Sequence, residues 1–192
     1  MDEKSPFEKY SPLKQMVPSS LCFTCDVCCR FPEETSFLAP YFTKEEIALV
    51  PALKKKFFDS LEGAKTELIR HPEGEGCLCP HFDHKTQHCT IYEERPLDCR
   101  IYPFAILRDR EGDVALGIDT KCPFIQEHAW DPQMKRDAAE VKAFLESDPI
   151  VSILEGHPGL IGRYQDDVIL LHPLARVTER VGRAAPSADD RA

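Results

Sequence analysis

The chain has 192 residues and a formal net charge of −9, with 24 Lys and Arg against 33 Asp and Glu. This length allows one domain of ordinary size with appended segments, which is enough chain to bury a core. Because the chain offers no general basic field, we predict that neither nucleic acid nor an anionic membrane is its partner. Its apolar runs are also far shorter than the roughly 20 residues of a membrane-spanning helix.

The cysteines indicate the chemistry expected of the chain. The first residues are charged and rich in proline, without the apolar stretch of a secretory signal, so we expect a cytoplasmic location. In that compartment thiols stay reduced. The nine cysteines are therefore expected to bind metal or to carry out redox chemistry rather than to form a disulfide framework.

The predicted elements begin with an extended N-terminal arm over residues 1–20, because three prolines there oppose a helix. A capping-box pattern at Thr43 and Glu46 starts a helix that Pro51 interrupts and Gly63 ends. Apolar residues then recur at helical spacing and predict one buried face. They are Ile47, Val50, Leu53, Phe57, Phe58 and Leu61.

The middle of the chain predicts a short helix and a hairpin. Residues 89–92 favour a strand, and Pro96 suits the first position of a helix that follows. Apolar runs at residues 104–108 and 114–118 flank a loop that contains Gly112. That arrangement is typical of a β-hairpin.

Helical patterns dominate the last third of the chain. Asp131 and Asp148 each precede a proline, which is a signal for a helix N-terminus. Residues 164–171 favour a strand and residues 173–181 a last short helix. Residues 182–192 form a polar tail with too few apolar residues to order itself.

Together these patterns predict an α+β fold: a small, irregular, Cys-rich metal-binding domain with short helices and a β-hairpin, followed by C-terminal helices. The predicted Cys-rich domain covers residues 21–123, after the arm at 1–20. A helical and mixed part, residues 124–181, is expected to pack on it, and the tail at 182–192 follows.

Eight of the cysteines fall into two groups, and the last one precedes Pro123. The first group is Cys22, Cys25, Cys28 and Cys29, the second is Cys77, Cys79, Cys89 and Cys99, and Cys122 stands alone. Two intervening residues return the second thiol to the side of the first, as in zinc knuckles and iron-sulfur loops. The first three cysteines also have the spacing of a bacterial ferredoxin.

Adjacent side chains point in different directions, so Cys28 and Cys29 are not expected to serve one ion equally. Either they bind two different centres, or one binds while the other packs, supports or reacts.

These residues resemble the CxxCxxCC (YkgJ-like) cysteine-cluster family of candidate zinc- or iron-chelating domains. The resemblance rests on the first cysteine group, on Cys79-Pro80, and on the run C-T-I-Y-E-E-R-P-L-D-C-R-I-Y-P at residues 89–103, and it covers about residues 21–123. His81 and Phe82 depart from the family pattern, and Cys77 is additional. The resemblance implies eight metal ligands, enough for two four-coordinate sites or for one cluster with further thiols. They are Cys22, Cys25, Cys28, Cys29, Cys79, Cys89, Cys99 and Cys122.

We expect the bound group to be an iron-sulfur cluster of the [4Fe-4S] type, which would make the protein redox-linked, with a protein redox or substrate partner of unknown identity. The alternative is Zn²⁺, which is redox-silent and would make the protein a structural interaction module. The family also includes flagellin lysine N-methylases, but the chain has no glycine-rich loop of the kind that binds S-adenosylmethionine. A thiol-disulfide or metal-storage protein with a reactive Cys28–Cys29 pair is a further alternative.

Charged neighbours of the cysteines are predicted to support the metal site. Arg95 and Arg100 are predicted to donate hydrogen bonds to the cofactor sulfurs, although surface ion pairs are the alternative for Arg95. Three histidines lie between Cys79 and Cys89, and two of them have the spacing of a zinc finger, but too few residues separate them from the preceding cysteines. A solvated loop at residues 83–87 is therefore favoured over metal ligation. The three histidines are His81, His84 and His88.

Overall fold

The computed structural model describes residues 6–184. The beginning of the predicted arm, residues 1–5, and most of the predicted tail, residues 185–192, lie outside the described residues. The fold is mixed α+β, as predicted, with small antiparallel sheets and helices toward the C-terminus. Within the described part, none of the helices is long and apolar enough to cross a membrane.

The chain forms two compact units, which we describe separately. Unit 1 comprises residues 6–11 and 17–100 of the described part, and unit 2 comprises residues 12–16 and 101–184.

Unit 1 is built from very short elements. Its helices are α1 (Pro6–Lys9), α2 (Ser19–Cys22), α3 (Lys44–Leu49), α4 (Ala52–Lys55) and α5 (Leu97–Ile101), the last of which ends at the boundary. Its strands are β1 (Arg30–Phe31), β2 (Tyr41–Thr43), β3 (Gly63–Lys65), β4 (Ile69–Arg70), β5 (Cys77–Leu78), β6 (Phe82–Asp83) and β7 (His88–Cys89). They form an antiparallel sheet in the order β1-β5-β4 and the two pairs β2-β3 and β6-β7.

The N-terminal segment differs from the predicted extended arm. Two single helical turns, α1 and α2, interrupt it. α1 begins at Pro6 and α2 directly follows Pro18, and both are places where proline is compatible with a helix start. Tyr10 is buried, and its hydroxyl donates a hydrogen bond to Glu46 Oε1 at 2.8 Å. The segment is therefore anchored to the core of unit 1 by a polar contact that the proline pattern did not reveal.

The predicted capping box is confirmed. Thr43 Oγ1 accepts a hydrogen bond from Glu46 N at 3.2 Å, and Glu46 Oε2 accepts one from Thr43 N at 2.7 Å. These two bonds satisfy backbone donors that the first turn of α3 would otherwise leave unpaired.

The buried face predicted for the following segment is only partly correct. Ile47, Val50 and Phe58 are buried, but Leu53 is 83% exposed and Leu61 is 60% exposed. The prediction was wrong for these two leucines because the chain stops following helical geometry: α3 ends before Pro51 and α4 is only four residues long. Positions that would share one face of a continuous helix therefore point in different directions.

Unit 2 contains the longer elements. They are β8 (Phe104–Arg108), β9 (Val114–Asp119), α6 (Pro123–His128), α7 (Pro132–Leu145), α8 (Asp148–Gly156), β10 (Val168–Pro173) and α9 (Ala175–Val181). The predicted hairpin is confirmed, and it forms an antiparallel sheet in the order β10-β9-β8. Gly117 lies where the strands approach closely, since a Cβ there would be 2.3 Å from Val168 Cγ1.

The two predicted Asp-Pro helix starts are close to the observed ones. Asp131 precedes α7, and Ser147, one residue before the predicted cap, precedes α8. The buried residues of α7 recur at helical spacing, which gives the helix one apolar face. They are Met134, Ala138, Val141 and Leu145.

Candidate metal centre

The first cysteine group lies in two consecutive turns. Cys22 ends α2, and the N–H of Cys25 donates to the carbonyl of Cys22 at 3.4 Å. Cys28 and Cys29 lie in a 3-10 turn, in which Cys29 N donates to Asp26 O at 2.8 Å. All nine cysteines, which lie within the described residues, are free thiols. The turn geometry that the spacing predicts is therefore present.

The second group is distributed over three elements. Cys79 directly follows β5, Cys89 is on β7 and Cys99 is on α5. The backbone N–H of Cys79 donates to the carbonyl of Cys29 at 2.9 Å. That hydrogen bond joins the two cysteine groups, which are about 50 residues apart in sequence.

Four thiols interact electrostatically with one another in every pairing. They are Cys28, Cys79, Cys89 and Cys99. Cys29 belongs to the same neighbourhood, since its Sγ lies 4.0 Å from Cys28 Sγ and it also interacts with Cys79 and Cys99. The structure thus brings together thiols from both groups.

Burial is the main cause of the raised pKa of three of these thiols. It raises the pKa of Cys79 to about 12 and raises the pKa of Cys89 and, strongly, of Cys99, with repulsion between the thiolates acting in the same direction. The pKa of Cys29 is also raised well above its ordinary value, first by its hydrogen bond with Cys28 and then by burial. Thiolates at these positions need a compensating positive charge, which a bound metal supplies.

Cys22 and Cys25, which are also predicted ligands, flank Phe23 in the first turn. Phe23, between Cys22 and Cys25, packs against the rings of His88 and Tyr92 with centroid distances of 4.5 and 5.0 Å. This contact brings the first turn beside the segment that carries Cys89.

Two further cysteines, Cys77 and Cys122, are also buried. Cys77 lies in an apolar cluster that includes Phe31 and Leu78. Cys122 lies in unit 2, directly before α6.

The two predicted arginines stabilise the turn between Cys89 and Cys99. Arg95 Nε donates to Tyr92 O at 2.9 Å, and its guanidinium lies 3.8 Å from the centre of the Tyr92 ring. The charge of Arg95 also lowers the pKa of Cys89, although burial of that thiol has the larger, opposite effect. Arg100 donates to the carbonyls of Arg95 and Glu93. The predicted hydrogen bonds to cofactor sulfurs stay a prediction.

His81 has an environment that the sequence did not indicate. Its side chain is 1% exposed, and both ring nitrogens lack a hydrogen-bond partner within the described residues. The ring packs against Phe42 and Phe58, with centroid distances of 5.3 and 6.0 Å. Burial first, and the charge of Lys54 second, lower its pKa to about 4. His81 is therefore a neutral core residue at neutral pH.

Glu46 is a supporting residue that sequence reasoning identified only as part of a helix cap. Its Oε1 also accepts a hydrogen bond from Leu97 N, the first residue of α5, at 2.8 Å. Asp98 Oδ2 holds the same turn by accepting from Tyr41 N at 3.0 Å. Two carboxylates thereby fix the start of the short helix that carries Cys99. Such a long-range role leaves no signal in local spacing.

The donor set fits a thiophilic metal. Among the described residues, no group of three or more Cys, His, Asp or Glu side chains is placed so that it could hold a metal ion. Thiolates are nevertheless the ligands that zinc and iron-sulfur clusters use. Binding would therefore require the interacting thiols to move closer together around the metal.

Comparison with known proteins supports the same chemistry. Residues 21–133 match the CxxCxxCC family, described as a candidate zinc- or iron-chelating domain. An uncharacterized protein of Methanocaldococcus jannaschii is 31% identical over 102 residues, which cover 51% of this chain and 51% of the relative. The chain thus spans about half the length of that relative. No solved structure was found to match.

Proposed function

Because the chain belongs to the CxxCxxCC family, whose description is that of a zinc- or iron-chelating domain, we propose that unit 1 holds a metal centre in a four-thiolate site. Family membership supports metal binding in general. The observation that carries the choice of ligands is the interaction of four thiols in every pairing. The proposed ligands are Cys28, Cys79, Cys89 and Cys99.

The proposed bound group is an iron-sulfur cluster, of the [4Fe-4S] type. The family description, which names iron as well as zinc, supports it. The ferredoxin spacing of Cys22, Cys25 and Cys28 would add Cys22 and Cys25 to the candidate cluster ligands. When bound, such a cluster supplies one-electron transfer, so a protein that exchanges electrons with this chain is the proposed partner. The chain's own contribution is a largely buried thiol set with the positive charge of Arg95 beside Cys89, and both features tune a cluster's reduction potential.

A single Zn²⁺ ion is the second candidate. The family description names zinc beside iron, and four thiolates are a common ligand set of structural zinc sites. In that case unit 1 is a structural module. Cys22 and Cys25 in unit 1 and Cys122 in unit 2 stay proposed ligands on the family resemblance alone.

Anaerobic purification followed by iron, acid-labile sulfide and zinc analysis tests the proposal. Equivalent iron and sulfide with broad visible absorption would support the cluster, whereas a colourless zinc protein would support the second candidate. A chain that holds neither metal would overturn both.

A matched pair of variants tests the ligand set. Cys77 and Cys79 are buried to a similar degree, at 4% and 7% exposure. Their truncation to alanine should therefore cost similar packing, and a difference in metal content would report on ligation. Cys79→Ala should lose the metal, and Cys77→Ala should retain it. Equal metal content in the two variants would contradict the proposed ligands.

A further inference from the structure

The four proposed ligands differ in their access to solvent. Cys79 is 7% exposed, and Cys89 and Cys99 are partly buried. Cys28 is exposed. One side of the proposed site is therefore open to solvent, at Cys28.

The less exposed ligands are also held by nonlocal contacts. Cys79 N donates to Cys29 O at 2.9 Å, Cys89 pairs with Phe82 across β6 and β7, and Glu46 holds the start of the helix that carries Cys99. These contacts hold the backbone at the three less exposed ligands. Cys28, by contrast, is carried on a surface 3-10 turn.

A fifth thiol lies next to the exposed one. Cys29 packs against an apolar cluster, and its Sγ is 4.0 Å from Cys28 Sγ. It interacts with Cys79 and Cys99, as Cys28 does. Cys28 and Cys29 can therefore both approach a metal that the other thiols hold, one from the solvent side and one from the protein side.

We propose, on the basis of the four-thiolate site above, that Cys28 and Cys29 are alternate fourth ligands, and that Cys28 is the ligand through which the site passes its metal to an external dithiol. When Cys28 is bound, the metal is open to an incoming thiol. When Cys29 is bound, the metal is shielded. The acceptor class is a protein or small molecule with two neighbouring thiols, which can replace ligands in succession.

The exchange step is balanced without any redox partner. An acceptor thiol releases its proton to solvent, and its sulfur forms a bond to the metal. The bond between the metal and Cys28 breaks, and the Cys28 thiolate takes up a proton from solvent. No electron is transferred, so neither an oxidant nor a reductant is needed.

The test uses the full chain loaded with Zn²⁺ and dithiothreitol as the acceptor dithiol. Zinc retained on the chain is measured over time at several dithiothreitol concentrations. For the unaltered chain, the rate of zinc loss should rise with dithiol concentration. Cys28→Ala should still bind zinc through Cys29, with lower affinity, but the rate of zinc loss should no longer depend on the dithiol. Cys29→Ala should keep both the zinc and the dependence, so the two neighbouring substitutions are controls for each other.

Several results would overturn the proposal. One is an unchanged dependence on dithiol in Cys28→Ala, and another is a failure of either single variant to bind zinc. These outcomes are separable from a failure of the proposed function. If the unaltered chain holds an iron-sulfur cluster but no zinc, the exchange proposal fails while the four-thiolate site stands. If Cys79→Ala retains the metal, the four-thiolate site itself is wrong and the exchange proposal fails with it.

Discussion

The cores of unit 1 and unit 2 differ in the length of their secondary-structure elements and in the polarity of their buried side chains. Unit 2 has a hairpin with strands of five and six residues and a helix of fourteen residues with an apolar buried face. Unit 1 has strands of only two or three residues. Among the described residues, the buried polar or charged side chains all belong to unit 1. They are Ser36, Thr43, Glu46, Thr66 and His81.

This difference indicates what each unit needs in order to fold. A regular apolar core of the kind found in unit 2 is stabilised by burial alone. Unit 1 divides its apolar residues between small clusters and buries thiols and other polar groups beside them. We expect such a loop-rich unit to gain much of its stability when a metal binds, because ligation would replace the missing apolar contacts. Four predictions sharpen this comparison.

Removal of the metal should have the largest effect, and it should act on one unit. We expect amide protons in residues 17–100 to lose protection against hydrogen exchange, while those in residues 101–184 largely keep it. Hydrogen exchange of the full chain with and without bound metal is the measurement. Equal loss of protection in both units would show that the stability of unit 2 also depends on the metal.

Glu46→Gln should destabilise unit 1 by about 1.5–3 kcal/mol, the range for hydrogen bonds to a charged group. The Glu46 carboxylate accepts hydrogen bonds from Tyr10, Thr43 and Leu97, and an amide nitrogen cannot accept a hydrogen bond in place of the second oxygen. Urea unfolding of the metal-loaded chain measures the change. Metal affinity should fall as well, because the start of the Cys99 helix loses its support.

Glu45, the exposed neighbour of Glu46, provides the control for Glu46→Gln. Glu45 lies on the same helix but is exposed. Glu45→Gln should therefore leave both the unfolding free energy and the metal affinity nearly unchanged. A similar loss in both variants would mean that general charge, rather than the hydrogen bonds of Glu46, is responsible.

His81→Phe should stabilise unit 1 by about 1–3 kcal/mol at neutral pH, because it removes buried nitrogens that lack partners and keeps a ring between Phe42 and Phe58. The gain should grow as the pH falls from 6.5 toward 4. Over that window the unfolded chain protonates its histidine while the folded chain, in which the pKa of His81 is about 4, does not. Proton uptake by the unfolded state favours unfolding, and phenylalanine has no such proton.

The quantity to measure is the difference in unfolding free energy between the unaltered chain and His81→Phe at each pH. The contribution of the titrating thiols cancels in that difference. Metal content is measured on the same samples. A variant that is less stable and has lost metal would show that His81 supports the metal centre, contrary to its assignment as a core residue.

The sequence was most informative where structure depends on near neighbours. The hairpin at residues 104–119 and the helix after Asp131 follow from alternation, turn residues and helical spacing, all of which act within a few residues. The capping box at Thr43 is local in the same sense.

Long-range features could not be obtained in this way. Spacing identified the cysteines within each group, but the meeting of the groups depends on contacts such as the hydrogen bond from Cys79 N to Cys29 O. The burial of His81 likewise depends on Phe42 and Phe58, which are distant in sequence. Which thiols share the candidate site is therefore a property of the folded chain.

The smallest expected effect concerns Leu53, which helical spacing assigned to the core. Because its side chain is 83% exposed, Leu53→Gln should change the unfolding free energy by no more than about 0.5 kcal/mol. Ile47→Ala is the contrasting variant: Ile47 is 1% exposed, and its truncation should cost about 2–5 kcal/mol. Urea unfolding of both variants decides whether the break after α3 separates core from surface. A large loss of stability in Leu53→Gln would instead indicate that Leu53 belongs to the buried face that periodicity predicted.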